Sequence, residues 1–503
     1  MRQPAPKVFV ADDKFFDVIR CLEARGWTRH AHLSFPKFRL KWTNYGRIPW
    51  TAARAAASSS QWLNHLQHAV LFSQKDVFAH ALYEYSDVAA VARTDARSCA
   101  ADEGVDGFYL RTFDLLRDAD IQLLREWFLY SSALAILKSY AAHPTVHDTK
   151  IDELAVACVL LATVIAADSE FFSRARTNTI LDAQDPQWKA LFRDHLIEEH
   201  LAPSHQPAAQ STPAAIERHV ELASRVERIL KQLRTLDLQF DAVGAENQSV
   251  WICKPSNLSQ GRGIHLLTSL DDILALQTAQ DGTIDQEKDQ SSQPSVAPKN
   301  KWVVQKYMEQ PLLSLQRGRK FDIRQWVLIK SLEPLRVFWY RQCYLRFCSE
   351  PFGLDREHLD DQFVHLSNFS IQKNATAHDA IETEPDSMWS SDRFQDHLRQ
   401  EYGHDVWSET IVPQMQLATR VAILSIVSKL KTVGNGFEWL GLDFLLDANH
   451  RVWLLEVNVS PDVSHSTSVT ADLVPKATEH LLQVVLDEPL ASDNGWLPLT
   501  GLS

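Results

Sequence analysis

The chain has 503 residues, 45% of them apolar and 23% charged, the proportions of a folded globular protein with room for several domains and a large core. Its formal net charge is −13, which argues against a general nucleic-acid binder, because a protein that neutralises phosphates carries a basic excess.

Near the N-terminus, VFVADDKFFDVIRCLEARGW reads as a strand, an amphipathic helix and a stop at Gly26, so a small α/β domain with a basic surface is expected over residues 1–72. The opening MRQPAPKVFVADDK has no apolar stretch of the length a secretory signal needs. From Ala24 to Lys75 there is no Asp or Glu, while Arg25, Arg29, Lys37, Arg39, Lys41, Arg47, Arg54 and Lys75 alternate with Trp27, Phe35, Phe38, Trp42, Tyr45 and Trp50. Two accounts fit: a solvated basic face over an aromatic core, or a dock for an acidic polypeptide. With a screening length of about 8 Å, such a partner feels this local field more than the distant acidic excess.

A central domain is expected over residues 73–306, with a helical insertion at about 114–245. DIQLLREWFLYSSALAILKSY repeats apolar residues at three- and four-residue spacing. The long, mostly apolar run from Leu154 to Ala167, interrupted only by Thr163, is too short for a bilayer and is expected as a buried helix in a protein without a membrane partner. Residues 202–215, rich in Pro, Ala and Ser, read as a linker, and residues 216–235 as a charged amphipathic helix. The polar stretch 280–301 is expected to be disordered.

Elsewhere strands dominate: SVWICKP, KWVVQKYM, RQWVLIKS, LRVFWYRQCYLRF and VWLLEVNV. After the first, Gly261 and Gly263 flank Arg262 on a short loop; with Lys254 they could cradle a phosphate, or form a plain Gly-rich hairpin. Gln305, Lys306 and Tyr307 end WVVQKY, where a strand edge and one lysine could hold a purine. KFDIRQW puts Lys320, Asp322, Arg324 and Trp326 on one strand face, either as a surface ladder or as groups too costly to bury unpaired. YLRF adds Arg346, and HLSNFSIQK offers His365, Ser367 and Asn368.

The segment HRVWLLEVNVSP carries the sharpest signal. Side chains two apart share a strand face, so Glu456 and Asn458 project together from an otherwise apolar strand. LGLDFLLD and RVWLLEVN flank an Asp-Ala-Asn-His turn and should pair as a hairpin, with Asp443 across from the neighbourhood of Glu456. Asp443, Glu456 and Asn458 then form a set of hard oxygen ligands for Mg²⁺. The six cysteines, Cys21, Cys99, Cys158, Cys253, Cys343 and Cys348, have no metal-site spacing and read as reduced thiols of a cytosolic protein.

In order and nearly gap-free, KPSNLSQGRGI, WVVQKYMEQPLL, KFDIRQWVLI, HLSNFSIQK and FEWLGLDFLLDANHRVWLLEVNVSP resemble the ATP-grasp core of the tubulin–tyrosine ligase-like enzymes. FPKFRLKWT, RIPW and LNHL resemble that family's N-terminal domain. The resemblance implies an α/β (α+β) ATP-grasp fold, with residues 307–503 as the C-terminal ATP-grasp domain. It also implies ligation of an amino acid to a protein carboxylate, usually on a tubulin tail, with ATP and Mg²⁺. Carried over by position, Lys75, Lys254 and Lys320, with Arg262 on the loop, contact ATP phosphates. Gln305, Lys306, Tyr307 and Met308 hold adenine, and Asp322 lies near the nucleotide. Arg324, Arg346, Ser367 and Asn368 sit at the amino-acid and acceptor site; Asp443, Glu456 and Asn458 bind metal; Lys320, Arg324 and Glu456 are the catalytic set.

Within the family, HLSNFSIQK, PDSMWSSDRFQDHL and VSPDVSHSTSVTADL are most similar to the protein glycylases, although Gln260 stands where the glycylase loop has Arg. The implied reaction phosphorylates a glutamate side chain of the acceptor, and the glycine amine attacks the acyl phosphate to leave an isopeptide bond. Arg346 suits the glycine carboxylate through its planar fork. The expected partners are glycine and the acidic tails of tubulin or microtubules, for a monomer in the cytoplasm and on the cytoskeleton, the axoneme of cilia or flagella included. Two readings compete: glutamate as the donor, and a microtubule-binding scaffold with an idle nucleotide site.

Overall fold

The computed structural model describes residues 7–56, 60–93, 104–143, 149–168, 170–172, 213–246, 248–256, 258–277, 301–374, 387–487 and 494–502. The chain divides into two compact units, each built from separated stretches: Met1–Arg97, Leu312–Phe352 and Gln362–Ser503 in the first, Ser98–Pro311 and Gly353–Asp361 in the second. Both mix helix and sheet, as the sequence pattern anticipates.

The first unit opens with a parallel sheet of β1 (Val8–Ala11), β2 (Thr28–Arg29), β3 (Leu40–Trp42) and β4 (Trp62–Leu63), in the order β2-β1-β3-β4. The helix Phe16–Ala24 follows β1 and stops before Gly26, whose φ of 76° is a left-handed conformation that glycine adopts without a Cβ penalty. Asp12, at the end of β1, accepts from Thr43 Oγ1 at 2.7 Å and from Arg47 Nη1 at 2.6 Å, which ties the loop after β3 to the sheet.

In the second unit, the helices Asp118–Ala142, Thr149–Ala167 and Pro213–Leu236 pack on one another, and an antiparallel sheet runs β5 (Thr112–Asp114), β8 (Trp302–Lys306), β6 (Trp251–Pro255) and β7 (His265–Leu267). Trp127, Phe128 and Trp251 join helix and sheet in one core. The expected helix at 216–235 lies inside Pro213–Leu236, which begins within the stretch read as a linker because proline fits a helix's first turn. The rest of that linker and nearly all of the stretch 280–301 fall outside the described residues. The apolar run 154–167 is helical but buries only one face: Cys158 and Ile165 are enclosed, while Leu160 is 55% exposed.

The remaining strands of the first unit make one antiparallel sheet: β9 (Arg319–Leu332), β10 (Leu335–Tyr340), β11 (Tyr344–Pro351), β12 (Met388–Ser390), β13 (Glu438–Leu446), β14 (Val452–Val459) and β15 (Trp496–Pro498). LRVFWYRQCYLRF, read as one strand, is two. The 14 residues of β9 take β11 on the first half of one edge and β10 on the second half, while β13 occupies the opposite edge. The β13–β14 hairpin forms with Asp443 opposite Glu456, the expected register. Its turn is closed by Asp447, whose carboxylate accepts from Asn449 N, Arg451 N and Trp453 Nε1. Trp326, Trp439 and Trp496 pack beneath this sheet together with the helix Ser468–Leu486. Cys21, Cys158, Cys253, Cys343 and Cys348 are buried free thiols.

Candidate functional site

Strand register in the first unit builds a buried polar row. Tyr344, Arg324, Asp443 and Glu456 are cross-strand neighbours on β11, β9, β13 and β14. One step away, Asp322 faces Arg346, and Gly441 faces Asn458. Asp322 and Arg324, two apart on β9, share a face as the alternation rule requires. Gly441 makes room for the row: a Cβ there would sit 2.9 Å from Pro461 Cβ and 3.2 Å from Arg324 Cδ.

The charges pair closely. Arg346 donates from Nε and Nη2 to Asp322 at 2.6 Å each, and Nη2 also reaches Asp443 Oδ2 at 2.9 Å. Arg324 grips the same Asp443 through Nε and, at 3.0 Å, through Nη2. Burial would raise the Asp443 pKa, but Arg324 and Arg346 outweigh it and hold the carboxyl well below the usual carboxylate range. Ser367 donates to Asp322. Lys320 Nζ donates to His365 O at 3.0 Å; burial pushes its pKa down, partly offset by Cys348 and Asp322. These groups are therefore a connected buried network and not a surface ladder.

Asp443, Glu456 and Asn458 do converge: Asn458 Nδ2 donates at 3.1 Å to Asp443 Oδ2 and at 3.1 Å to Glu456 Oε1. The trio supplies the two carboxylates and the amide that a hard cation takes. Glu456 is half-buried and has no ion pair with Lys or Arg among the described residues, so it has lone pairs to give. Asp443 is already gripped by two guanidinium groups, and the Asn458 amide must turn over to present its oxygen. No group of three or more His, Cys, Asp or Glu with metal geometry exists among the described residues, so a cation here depends on this mixed set.

The second unit holds the other expected group. Gln305 Oε1 accepts from Lys254 Nζ at 2.7 Å, and Gln305 Nε2 donates to Thr112 Oγ1 at 2.9 Å, so the Gln305 side chain aims the lysine across β8 and β6. Lys306 Nζ is buried on Val250 O at 2.8 Å, Tyr307 O at 3.0 Å and Glu309. Its backbone N–H is also engaged, donating to Arg111 O at 2.9 Å. Tyr307 N donates to Val250 O at 3.1 Å, while Met308, 1% exposed, has neither backbone N–H nor C=O in a hydrogen bond among the described residues. A buried peptide with unused donor and acceptor is uncommon and fits a planar ligand edge. Arg262 is exposed on the β6–β7 loop, where Gln260, Gly261 and Gly263 have φ of 63°, 75° and 68°; β6 and β7 pair as a hairpin.

Lys75 opens the helix Lys75–Arg93, just after a short turn, Ala69–Phe72, that packs on β14. Asn368 precedes the short helix Phe369–Gln372 and its side chain makes no hydrogen bond among the described residues. The basic segment is partly neutralised by acids from elsewhere in the chain: Arg25 pairs with Asp487, Arg29 with Asp13 and Arg47 with Asp12.

Sequence reasoning passed over three supports. His65 Nδ1 lies 2.6 Å from Glu438 Oε1, and its Nε2 lies 2.9 Å from Thr43 O and 3.1 Å from Ser460 Oγ, joining the N-terminal sheet to β13 and the end of β14. Glu309 accepts from Gly244 N and, at 2.7 Å, from Val250 N beneath the turn at Tyr307–Met308. Gly441 is the third. The acid Glu438 in the apolar run FEWLGLDFLL was a visible signal for the first.

Residues 181–493 match the model of the tubulin-tyrosine ligase family. Over 276 residues the chain is 39% identical to tubulin monoglycylase TTLL3 of Mus musculus, covering 54% of this chain and 28% of that protein. It is 28% identical over 541 residues to tubulin glycylase 3C of Tetrahymena thermophila, covering 97% of this chain and 47% of that one. Against protein monoglycylase TTLL8 of Homo sapiens it is 35% identical over 267 residues, 52% of this chain and 30% of that protein. The chain thus spans less than half the length of these relatives.

Proposed function

The chain belongs to the tubulin-tyrosine ligase family, in its glycylase-type branch, and from that premise we propose that it joins glycine to glutamate side-chain carboxylates of tubulin tails at the expense of ATP. The observation that carries the reading is the buried row in which Arg324 and Arg346 flank Asp443 beside Glu456 and Asn458. The reading includes an ATP-grasp architecture and, as the family resemblance implies, nucleotide contacts from the backbone at Met308 and from the cations Lys75, Lys254, Arg262 and Lys320. ATP supplies the activation of the acceptor carboxylate as an acyl phosphate.

The chain's own residues do the rest. Asp443, Glu456 and Asn458 hold Mg²⁺. Arg324 and Lys320 offset the charge that gathers where several anions meet, which counts for more in a buried site than in water. Arg346 spends Nε and Nη2 on carboxylates of the fold and retains Nη1, with no partner among the described residues, for the carboxylate of glycine. Ser367 and Asn368 line the same region, and Asp322 orients Arg346. The proposed setting is the cytoplasm and cytoskeleton, cilia included.

The test is incubation with ATP, Mg²⁺, tubulin and labelled glycine or glutamate, followed by mass spectrometry of the acceptor. Glycine on internal glutamates is the expected product. Glutamate addition would reassign the donor, and tubulin binding without ADP release would leave only a scaffold.

A further inference from the structure

A pocket of about 200 Å³ opens in the N-terminal part of the first unit, walled by Phe35, Pro36, Phe38, Ile48, Ala53 and Val433. None of the candidate site residues lines it. Its walls are fixed by the fold: Gln61 Nε2 donates to Pro36 O at 3.0 Å and Phe38 O at 3.1 Å, and Lys41 Nζ donates to Leu33 O at 2.9 Å. The rings of His30 and Phe35 stack at 3.9 Å. The hollow therefore exists before any partner arrives, which lowers the cost of binding.

Both stretches of chain that build it lack acids. There is no Asp or Glu from Ala24 to Lys75, and none from Thr410 to Phe437. Lys37, Arg39 and Arg54 on the first stretch and Lys431 on the second are exposed and make no ion pair among the described residues. Acids that do approach these stretches are engaged: Asp12 with Arg47, Asp13 with Arg29, Glu84 with Lys429. A purely acidic chain would leave the hollow empty, and an apolar one would leave the cations idle.

We propose that this pocket docks an acidic polypeptide by one large apolar side chain, with carboxylates on either side of it meeting Lys37, Arg39, Arg54 and Lys431. The volume suits a single side chain and falls below the roughly 300–1,000 Å³ of small-molecule sites. Its use in choosing among acceptors rests on the ligase reading above; the docking itself does not.

Fluorescence anisotropy on the full chain without nucleotide tests it, using three labelled peptides: a glutamate run with one central Phe, the same run with Ser, and the Phe in a glutamine run. The Phe–Glu peptide should bind at least about tenfold tighter than either other, the scale of burying one such side chain. Filling the hollow with Ala53→Trp should remove the Phe advantage, and Lys37→Glu with Arg54→Glu, on the surface, should weaken both Glu-rich peptides. Equal affinity for the Phe and Ser peptides, or no effect of the charge reversal, overturns the proposal. Glycine transfer is read in parallel. Phe-dependent binding without transfer keeps the dock and removes the ligase reading, whereas transfer without Phe-dependent binding keeps the ligase reading and removes the dock.

Discussion

Arg346 and Asp322 face each other across β11 and β9 and meet in a two-pronged ion pair, both contacts at 2.6 Å. The pair is buried, so its attraction is weighed against desolvation, and removing one partner is costlier than the net worth of the pair. Arg346→Met should destabilise the first unit by about 3–5 kcal/mol, because Asp322 is left charged and enclosed. Arg346→Lys keeps the charge but loses the fork. It should fold, with a KM for glycine raised at least about tenfold, since one ammonium cannot serve Asp322, Asp443 and a substrate carboxylate together. Equal KM values in wild type and Arg346→Lys would remove Arg346 from the glycine site.

Gly441 is a steric prediction. A methyl group there meets Pro461 at 2.9 Å and Arg324 at 3.2 Å, and Arg324 is a member of the polar row. Gly441→Ala should cost about 1–3 kcal/mol by overpacking and should lower glycine transfer more than the lost stability explains, as Arg324 is displaced. Thermal unfolding and transfer measured well below the midpoint separate the two effects. An alanine variant of full activity would show that Arg324 can shift freely.

Glu456 gives the opposite expectation. It carries no ion pair with Lys or Arg among the described residues and is half-buried, so Glu456→Gln should move stability by no more than about 1 kcal/mol. Glycine transfer should fall by at least about a hundredfold if that carboxylate holds the cation. Titrating Mg²⁺ against the variant checks the cause: a raised Mg²⁺ requirement is the signature, and an unchanged one would assign the loss elsewhere.

These contrasts also mark what the sequence could and could not reveal. The pairing of Asp443 with Glu456 was legible because a hairpin's register follows from two apolar runs and one turn. The common face of Asp322 and Arg324 was legible from the two-residue period. Partners on other strands were not: that Asp322 would take Arg346, and Asp443 both arginines, depends on β11 and β13 choosing opposite edges of β9. The side chain of Lys306 was misleading for the same reason, since its acceptors Val250 O and Glu309 are set by how β6 and the following turn pack. The basic stretch 24–75 looked more charged than it is because Asp12, Asp13 and Asp487 are remote in sequence and close in space.

Asp443 yields a pH dependence with a fixed sign. Although burial alone would raise its pKa, Arg324 and Arg346 hold the folded value below that of the unfolded chain, about 3.9. Below that pH the unfolded state binds the extra proton, so the stabilisation is complete above about pH 4 and is lost as pH falls toward the folded value. Asp443→Asn removes this contribution and leaves two guanidinium groups facing an amide. Its stability deficit relative to the wild type should be largest at about pH 5–7 and should shrink steadily between about pH 4 and 3, even though other carboxylates lower both curves. Denaturant unfolding of both proteins across that range measures it. A deficit that stays constant would mean that the carboxylate of Asp443 is not held ionised by Arg324 and Arg346.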